Sequence, residues 1–120
     1  MREKKIEKYL RLKYIREIER YINRIVNFLN TKTDPTKEEF CNFANEKYKK
    51  IQECEKILLT KGYPADMEKF ADKIIYAANS QKEMDDLKGE ILYEANRIRK
   101  TKRLRSYKKD KHKKTDIQEY

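Results

Sequence analysis

The fold is decided by residues 14–29, whose sequence is YIREIERYINRIVNFL. Apolar side chains recur in this stretch at alternating spacings of three and four residues, the pattern of an a/d seam along one side of a helix. The seam consists of Ile15, Ile18, Ile22, Ile25 and Leu29. Beside it, Tyr14, Tyr21 and Phe28 widen the stripe into a broad apolar face. We therefore predict a long first helix, over about residues 2–30, that is buried against more than one other helix.

A second helix is predicted to begin after Thr36. Thr36 and Glu39 have the three-residue spacing of a capping box, in which each side chain accepts a hydrogen bond from the other residue's backbone N–H. Apolar residues keep helical spacing from Phe40 onward until Gly62, which favours a left-handed residue just after the helix end. The sequence thus predicts one helix from about residue 37 to residue 61.

Two more helices are predicted beyond Tyr63-Pro64. The third is short, over about residues 65–79, and Ser80 with Glu83 has the spacing of a second capping box at the start of the fourth. The apolar stripe of the fourth helix ends at Ile98. The fold class is therefore all-α: a small four-helix bundle-like domain over residues 1–98, followed by a basic, partly disordered C-terminal extension over residues 99–120.

Composition supports this fold class. The chain of 120 residues contains only two glycines and two prolines, whereas β-sandwiches and barrels need turn residues at short intervals. It has no apolar run of about 18 residues that would span a membrane, and its start lacks the continuous apolar segment of a signal peptide. We expect a soluble, non-secreted protein of the cytoplasm.

The cysteines and the single histidine predict no metal or cofactor site. Cys41 and Cys54, placed in one predicted helix, would lie about 20 Å apart along its axis, too far to form a disulfide. Free thiols fit a reducing compartment. His112 is distant in the sequence, so the ligands for a zinc site are lacking. The acidic residues of 83–90 stand at the predicted start of a helix, where they complement its dipole.

Charge is segregated along the chain. Residues 97–114 contain eleven basic side chains and one acidic side chain, whereas residues 31–96 contain eleven basic and fourteen acidic ones. So dense a basic segment repels itself, and we expect it to be disordered beyond about Ser106 until a polyanion neutralises it.

Nucleic acid, DNA or RNA, is the polyanion that this charge favours, because each Lys or Arg that neutralises a phosphate releases a condensed counterion. The predicted binding residues in the C-terminal segment are Arg97, Arg99, Lys100, Lys102, Arg103, Arg105, Tyr107, Lys108 and Lys109. A second group falls within about 80° of one another on the first helix, opposite the seam. It consists of Lys13, Arg16, Arg20 and Arg24. If the first and fourth helices are antiparallel, the C-terminal segment is expected to meet the basic start of the first helix, Arg2, Lys4, Lys5 and Lys8.

The sequence also bears on other functions. The sequence contains no phosphate-binding glycine loop, no metalloprotease motif and no nucleophile elbow, so we expect no catalytic activity. A helical protein-interaction module, such as an inhibitor, immunity or adaptor protein, is the alternative. The regular seam is also compatible with a homodimer. Peripheral membrane attachment is disfavoured, because Leu104 and Tyr107 are the only apolar anchors in the basic segment. A basic segment that serves only solubility is the remaining interpretation.

Overall fold

Four helices form the part of the chain that the computed structural model describes, the backbone of residues 2–100 and the side chains of residues 5–100. They are α1 (Arg2–Thr31), α2 (Lys37–Gln52), α3 (Gly62–Ala78) and α4 (residues 84–100). Within this range the fold is an all-α bundle, as predicted, and contains no strand. The basic residues from 101 onward lie outside the described range.

The predicted seam of α1 is the centre of the core. Ile18, Ile22, Ile25 and Leu29 are buried, together with Tyr14, Tyr21 and Val26, while Ile15 is half-buried. Helices α2 and α3 both pack on α1 and on each other. Aromatic rings align α1 with α2, since Tyr21 meets Tyr48 edge-on at 5.4 Å and Phe28 stacks on Phe43 at 4.5 Å. These pairs show that α2 runs antiparallel to α1.

Helix α4 closes the remaining side of the bundle. Its buried residues, Leu87, Ile91, Ala95 and Ile98, keep the predicted spacing up to the last predicted apolar position. Ala95 and Ile98 line one crevice with Ile22 of α1 and Met67 of α3. The apolar face of α1 is therefore covered from three sides, as its breadth predicts.

The turn between α1 and α2 contains the predicted capping box. The Thr36 hydroxyl accepts a hydrogen bond from the Glu39 N–H at 3.0 Å, and the Thr36 N–H donates to Glu39 Oε1 at 3.3 Å. Lys32 forms an ion pair with the same carboxylate. This pairing and the bonds from Thr36 lower the pKa of Glu39. The start of α2 is thus fixed by local sequence.

The predicted end of α2 is wrong by about nine residues. The helix ends at Gln52, and residues 55–60 form an irregular segment that buries Leu59 and half-buries Ile57. Ile51 lies beside Tyr14, and none of residues 5–13 of α1 is buried, so a longer α2 would extend beyond the buried core. Packing overrides helical spacing here, because the returning segment brings Leu59 into the core.

Two details change with this boundary. Cys54 lies just beyond α2 instead of within it, and both Cys41 and Cys54 are free, half-buried thiols. Gly62 has the positive φ that its position suggested, +82°, but it begins α3 instead of ending α2. Helix α3 therefore starts three residues earlier than predicted and, with 17 residues against 16 for α2, is not the short helix that the sequence predicts.

The capping box predicted from Ser80 and Glu83 is replaced by a different turn. The Ser80 hydroxyl donates to the Ala77 carbonyl at 2.6 Å and accepts from the Lys82 N–H at 3.2 Å. Helix α4 begins after Glu83, whose carbonyl accepts from the Leu87 N–H at 3.0 Å. Lys37 at the start of α2 donates to the carbonyls of Ser80 and Lys82, both at 2.7 Å. Ser80 therefore stabilises the turn between α3 and α4 instead of capping α4, and Lys37 binds this turn to the start of α2.

The two glycines give opposite stability predictions. Gly62→Ala is expected to lower the free energy of unfolding by about 1–2 kcal/mol, because alanine is strained at positive φ. Gly89→Ala is expected to raise it by about 0.5–1 kcal/mol, because Gly89 is exposed within α4 and a Cβ there would meet nothing within 4 Å. Urea unfolding of both variants measures this. Equal effects of the two substitutions would contradict the boundary of α3 given above.

Tyr21 offers a second stability test, because its buried hydroxyl has no hydrogen-bond partner among the described residues. Tyr21→Phe is expected to leave the stability unchanged or raise it, since a buried polar group without a partner is removed. Tyr48→Phe is the control: it removes a 3.1 Å bond to Asp72 and should cost about 0.5–1 kcal/mol. A loss of more than about 1 kcal/mol for Tyr21→Phe would show that its hydroxyl is bonded.

Candidate nucleic-acid interface

The predicted basic residues of α1 form a row on the solvent side of the helix. Lys13, Arg16, Arg20 and Arg24 are all exposed, on the face opposite the buried seam. Lys13 and Arg24, at the two ends of the row, are eleven positions apart, or about 17 Å at the rise of an α-helix. We call it the basic row. It exists because the core takes only one side of α1 and leaves the other side to water.

Acidic side chains of α1 lie beside the basic row. Arg20 donates to Glu17 at 2.9 Å, and Glu17 itself is largely buried on the flank of the helix. Glu19 is half-buried and lines the crevice toward α4. Within the described range, Lys13, Arg16 and Arg24 have no carboxylate at ion-pair distance. Most of the positive charge in the row therefore faces solvent.

Three asparagines continue the exposed face of α1 beyond the basic row. Asn23, Asn27 and Asn30 recur at spacings of four and three residues and are exposed. Their amides donate and accept hydrogen bonds, so they suit base edges as well as phosphates. Sequence reasoning missed them, although their spacing at i, i+4 and i+7 next to the predicted row was a detectable signal.

Arg99 brings α4 to the same surface. It lines a shallow concavity of about 430 Å³ with Arg24, Val26 and the three asparagines. Two of the predicted groups, one on α1 and one at the end of α4, are thus neighbours. We call the basic row, Asn23, Asn27, Asn30 and Arg99 together the α1 face.

The expected meeting of the C-terminal segment with the start of α1 lies largely outside the described residues, which show only where α4 itself ends. Arg99 lies beside Asn23 and Asn27, and Asn23 is about 27 Å along the helix axis from Lys5. Lys5 and Lys8 are exposed on a part of α1 that precedes the first buried residue. The side chains of Arg2 and Lys4 lie outside the described range. Because α4 packs across the second half of α1, its described end joins the basic row and not the helix start.

Arg97 is separated from the α1 face. Two residues along a helix correspond to a rotation of about 200°, so Arg97 and Arg99 project to opposite sides of α4. Arg97 donates to Glu94 through Nε at 3.2 Å and also through Nη2. This bonding lowers the pKa of Glu94 and raises that of Arg97. Arg97 is thus part of an ion pair on α4.

The other predicted residues are distributed as follows. Lys100 is exposed at the last described position of α4. Outside the described range lie Lys102, Arg103, Arg105, Tyr107, Lys108 and Lys109.

Carboxylates of α3 lie on a different side of the bundle. Glu68 accepts a hydrogen bond from the Tyr14 hydroxyl, and Asp72 accepts one from Tyr48 at 3.1 Å. Burial and the nearby Asp72 raise the pKa of Tyr48 to about 12. These two acids are therefore committed to tyrosines at the junction of α1, α2 and α3 and do not offset the charge of the α1 face.

The described residues show neither a metal centre nor a membrane-spanning helix. Between residues 2 and 100, no three or more His, Cys, Asp or Glu side chains are grouped so as to hold a metal ion. No helix in that range has the length and apolarity that crossing a bilayer requires. Comparison of the chain with protein-family models, curated proteins and solved structures finds no match.

The Arg97–Glu94 pair gives a direct electrostatic prediction. Arg97→Gln should raise the pKa of the Glu94 carboxyl toward its ordinary value, because the charged hydrogen-bond donor that stabilises the carboxylate is removed. An NMR pH titration of the Glu94 side-chain carbon measures the change. Arg99→Gln is the matched control and should leave the pKa of Glu94 unaltered. An equal shift in both variants would mean that Arg97 acts only through its net charge.

Proposed function

We propose that this chain is a non-catalytic nucleic-acid-binding or accessory protein that contacts the phosphate backbone through the basic face of α1 and the basic C-terminal segment. The observation that carries the proposal is the exposed basic row of α1, extended by Arg99 from α4. The bundle supplies a rigid backing for the row, because the other side of the same helix is its core. We further propose a cytoplasmic location, since both described cysteines are free thiols, which fit a reducing compartment.

Phosphate is the chemical group that suits the basic row. One strand of duplex DNA presents a phosphate about every 3.4 Å along the axis, so the 17 Å row faces roughly five of them. Arginine is the main residue in the row, and its planar guanidinium binds phosphate through two parallel hydrogen bonds. The eleven basic residues of 97–114 add counterion release without requiring a particular fold.

The asparagines favour nucleic acid over other polyanions. The amides could also donate to the phosphates of a lipid headgroup layer, but a base edge pairs with both the donor and the acceptor of the same amide. Asparagine pairs with the edge of adenine and arginine with the edge of guanine, and the α1 face contains both residue types. We infer that the arginines bind phosphate while the amides of Asn23, Asn27 and Asn30 lie at the bases.

The salt dependence of binding tests this proposal. Fluorescence anisotropy with labelled single- and double-stranded oligonucleotides over a salt series gives the slope of log affinity against log salt. The triple variant Arg16→Gln, Arg20→Gln and Arg24→Gln should reduce this slope by up to about 2.7, at roughly 0.9 per lost phosphate contact.

A matched control removes the same charge elsewhere. The control is a triple variant with Lys49→Gln, Lys50→Gln and Lys56→Gln. These lysines are exposed, two in α2 and one in the segment after it. This variant should leave the slope nearly unaltered, because its lysines are away from the α1 face. If both triple variants lose affinity equally, or if the unaltered chain binds none of the oligonucleotides at low salt, the proposed function is wrong.

A protein-interaction module remains the second candidate, favoured by exposed tyrosines at a groove between α3 and α4. The same assay separates the two functions. Association dominated by phosphate weakens steeply with salt, whereas docking of an apolar protein surface does so only slightly.

A further inference from the structure

The three asparagines of the α1 face take no part in holding the bundle together. Asn23, Asn27 and Asn30 are exposed, and no side-chain hydrogen bond joins them to another residue of 5–100. By contrast, the amides of Asn45 and Asn79 bond to each other at 3.0 and 3.1 Å and to backbone carbonyls. Asparagine is also a weak helix former, so stability does not account for Asn23 and Asn27 in the interior of α1.

These amides lie in the shallow concavity between α1 and α4, which measures about 430 Å³. Buried Val26 gives it an apolar patch, while Arg24 of α1 and Arg99 of α4 each supply a guanidinium. Among the described residues no carboxylate lines it, and Glu19 lies in the adjoining crevice with Asn23 and Arg99. Amides, apolar surface and guanidinium planes are the groups that bind an unstacked nucleobase. The volume is that of a small-molecule pocket and has room for one base.

Helix α4 restricts which form of nucleic acid reaches the amides. Ala95 and Ile98 of α4 line a crevice with Ile22 of α1, and Arg99 lies beside Asn23. Two packed helices, with axes about 8–10 Å apart and diameters of about 10 Å, are roughly 20 Å across. The major groove of a duplex is only about 12 Å wide and admits a single helix. The base edges of an intact duplex therefore stay out of reach of the concavity, although its phosphates remain accessible to the basic row.

We propose that the concavity binds one unpaired base, so that single-stranded nucleic acid is the substrate class of the α1 face. This inference rests on the proposed function and adds the form of the nucleic acid. The base lies against Val26 and the Arg99 guanidinium, and the amides of Asn23 and Asn27 bond to its edge. The basic row binds the phosphates of the same strand, which adds affinity without reading sequence.

Anisotropy titrations with two forms of the same sequence test the inference. A labelled single strand of about 15 nucleotides, prepared as DNA and as RNA, is compared with its duplex at about 0.1 M salt. The double variant Asn23→Ala with Asn27→Ala should weaken binding of the single strand by at least about fivefold, the lower limit for one stacked base. Binding of the duplex should change by less than about twofold, because the phosphate contacts remain.

A matched control removes two amides from another helix. Asn42 and Gln52 are exposed on α2 and do not line the concavity. The variant Asn42→Ala with Gln52→Ala should leave the affinity for both the single strand and the duplex unaltered. Alanine is a better helix former than asparagine, so the variant with Asn23→Ala and Asn27→Ala should unfold at the same temperature as the unaltered chain or higher. A loss of binding is then not a loss of fold.

A strand without bases provides the complementary test. An oligonucleotide of abasic sites keeps the phosphates but has nothing to place in the concavity. The unaltered chain should bind it at least about fivefold more weakly than the ordinary single strand. The variant with Asn23→Ala and Asn27→Ala should bind the abasic and ordinary strands more nearly alike, because the amides and the base act as one contact.

The outcomes separate this inference from the proposed function. Selective loss of single-strand binding, for DNA, RNA or both, is the expected result. Equal effects of the asparagine substitutions on single strand and duplex, or no effect on either, would overturn the inference, and so would abasic strands that bind as tightly as ordinary ones. The proposed function would survive these results if binding still weakened steeply with salt. Failure of the unaltered chain to bind any oligonucleotide at low salt would overturn both.

Discussion

Burial of the apolar face of α1 is the constraint on which the rest of this molecule depends. With 43% charged residues, the chain has few places where apolar side chains can form a core, and α1 contributes seven buried side chains to it, more than any other described helix. Helices α2, α3 and α4 each cover one side of this face. The end of α2 follows from the same constraint, because the buried part of α1 begins only at Tyr14.

The same helix then determines where charge lies. One side of α1 is committed to the core, so its arginines and lysines align on the other side, and α4 adds Arg99 beside them. Glu17 is bonded to Arg20 of the row, whereas Glu68 and Asp72 are bonded to tyrosines and Glu94 to Arg97. A nearly neutral bundle thereby acquires one strongly basic surface, which is the physical basis for the proposed binding of nucleic acid.

The sequence predicted those features that local patterns determine, namely the seam of α1, the capping box of Thr36 and Glu39, and the basic row. It failed where tertiary packing decides. Ile57 and Leu59 continue a helical spacing but are placed by an irregular segment, and Gly62 has the expected positive φ at the start of a helix instead of after one. The asparagines were not predicted, because the binding residues were identified by their charge and asparagine is neutral. The place where α4 crosses α1 determines that Arg99 lies beside Asn23 and that Arg97 projects to the other side of α4. No local sequence pattern specifies this crossing.

The central claim is that one helix supplies the core with one side and a nucleic-acid surface with the other. Chemical-shift mapping of the backbone amides during titration with an oligonucleotide tests it most directly. The account predicts that, among residues 5–100, the largest shifts fall on residues 13–30 of α1 and on Arg99, with little change at Lys49 and Lys50 of α2. Shifts spread evenly over all exposed lysines and arginines, or concentrated on α2 and α3, would contradict it.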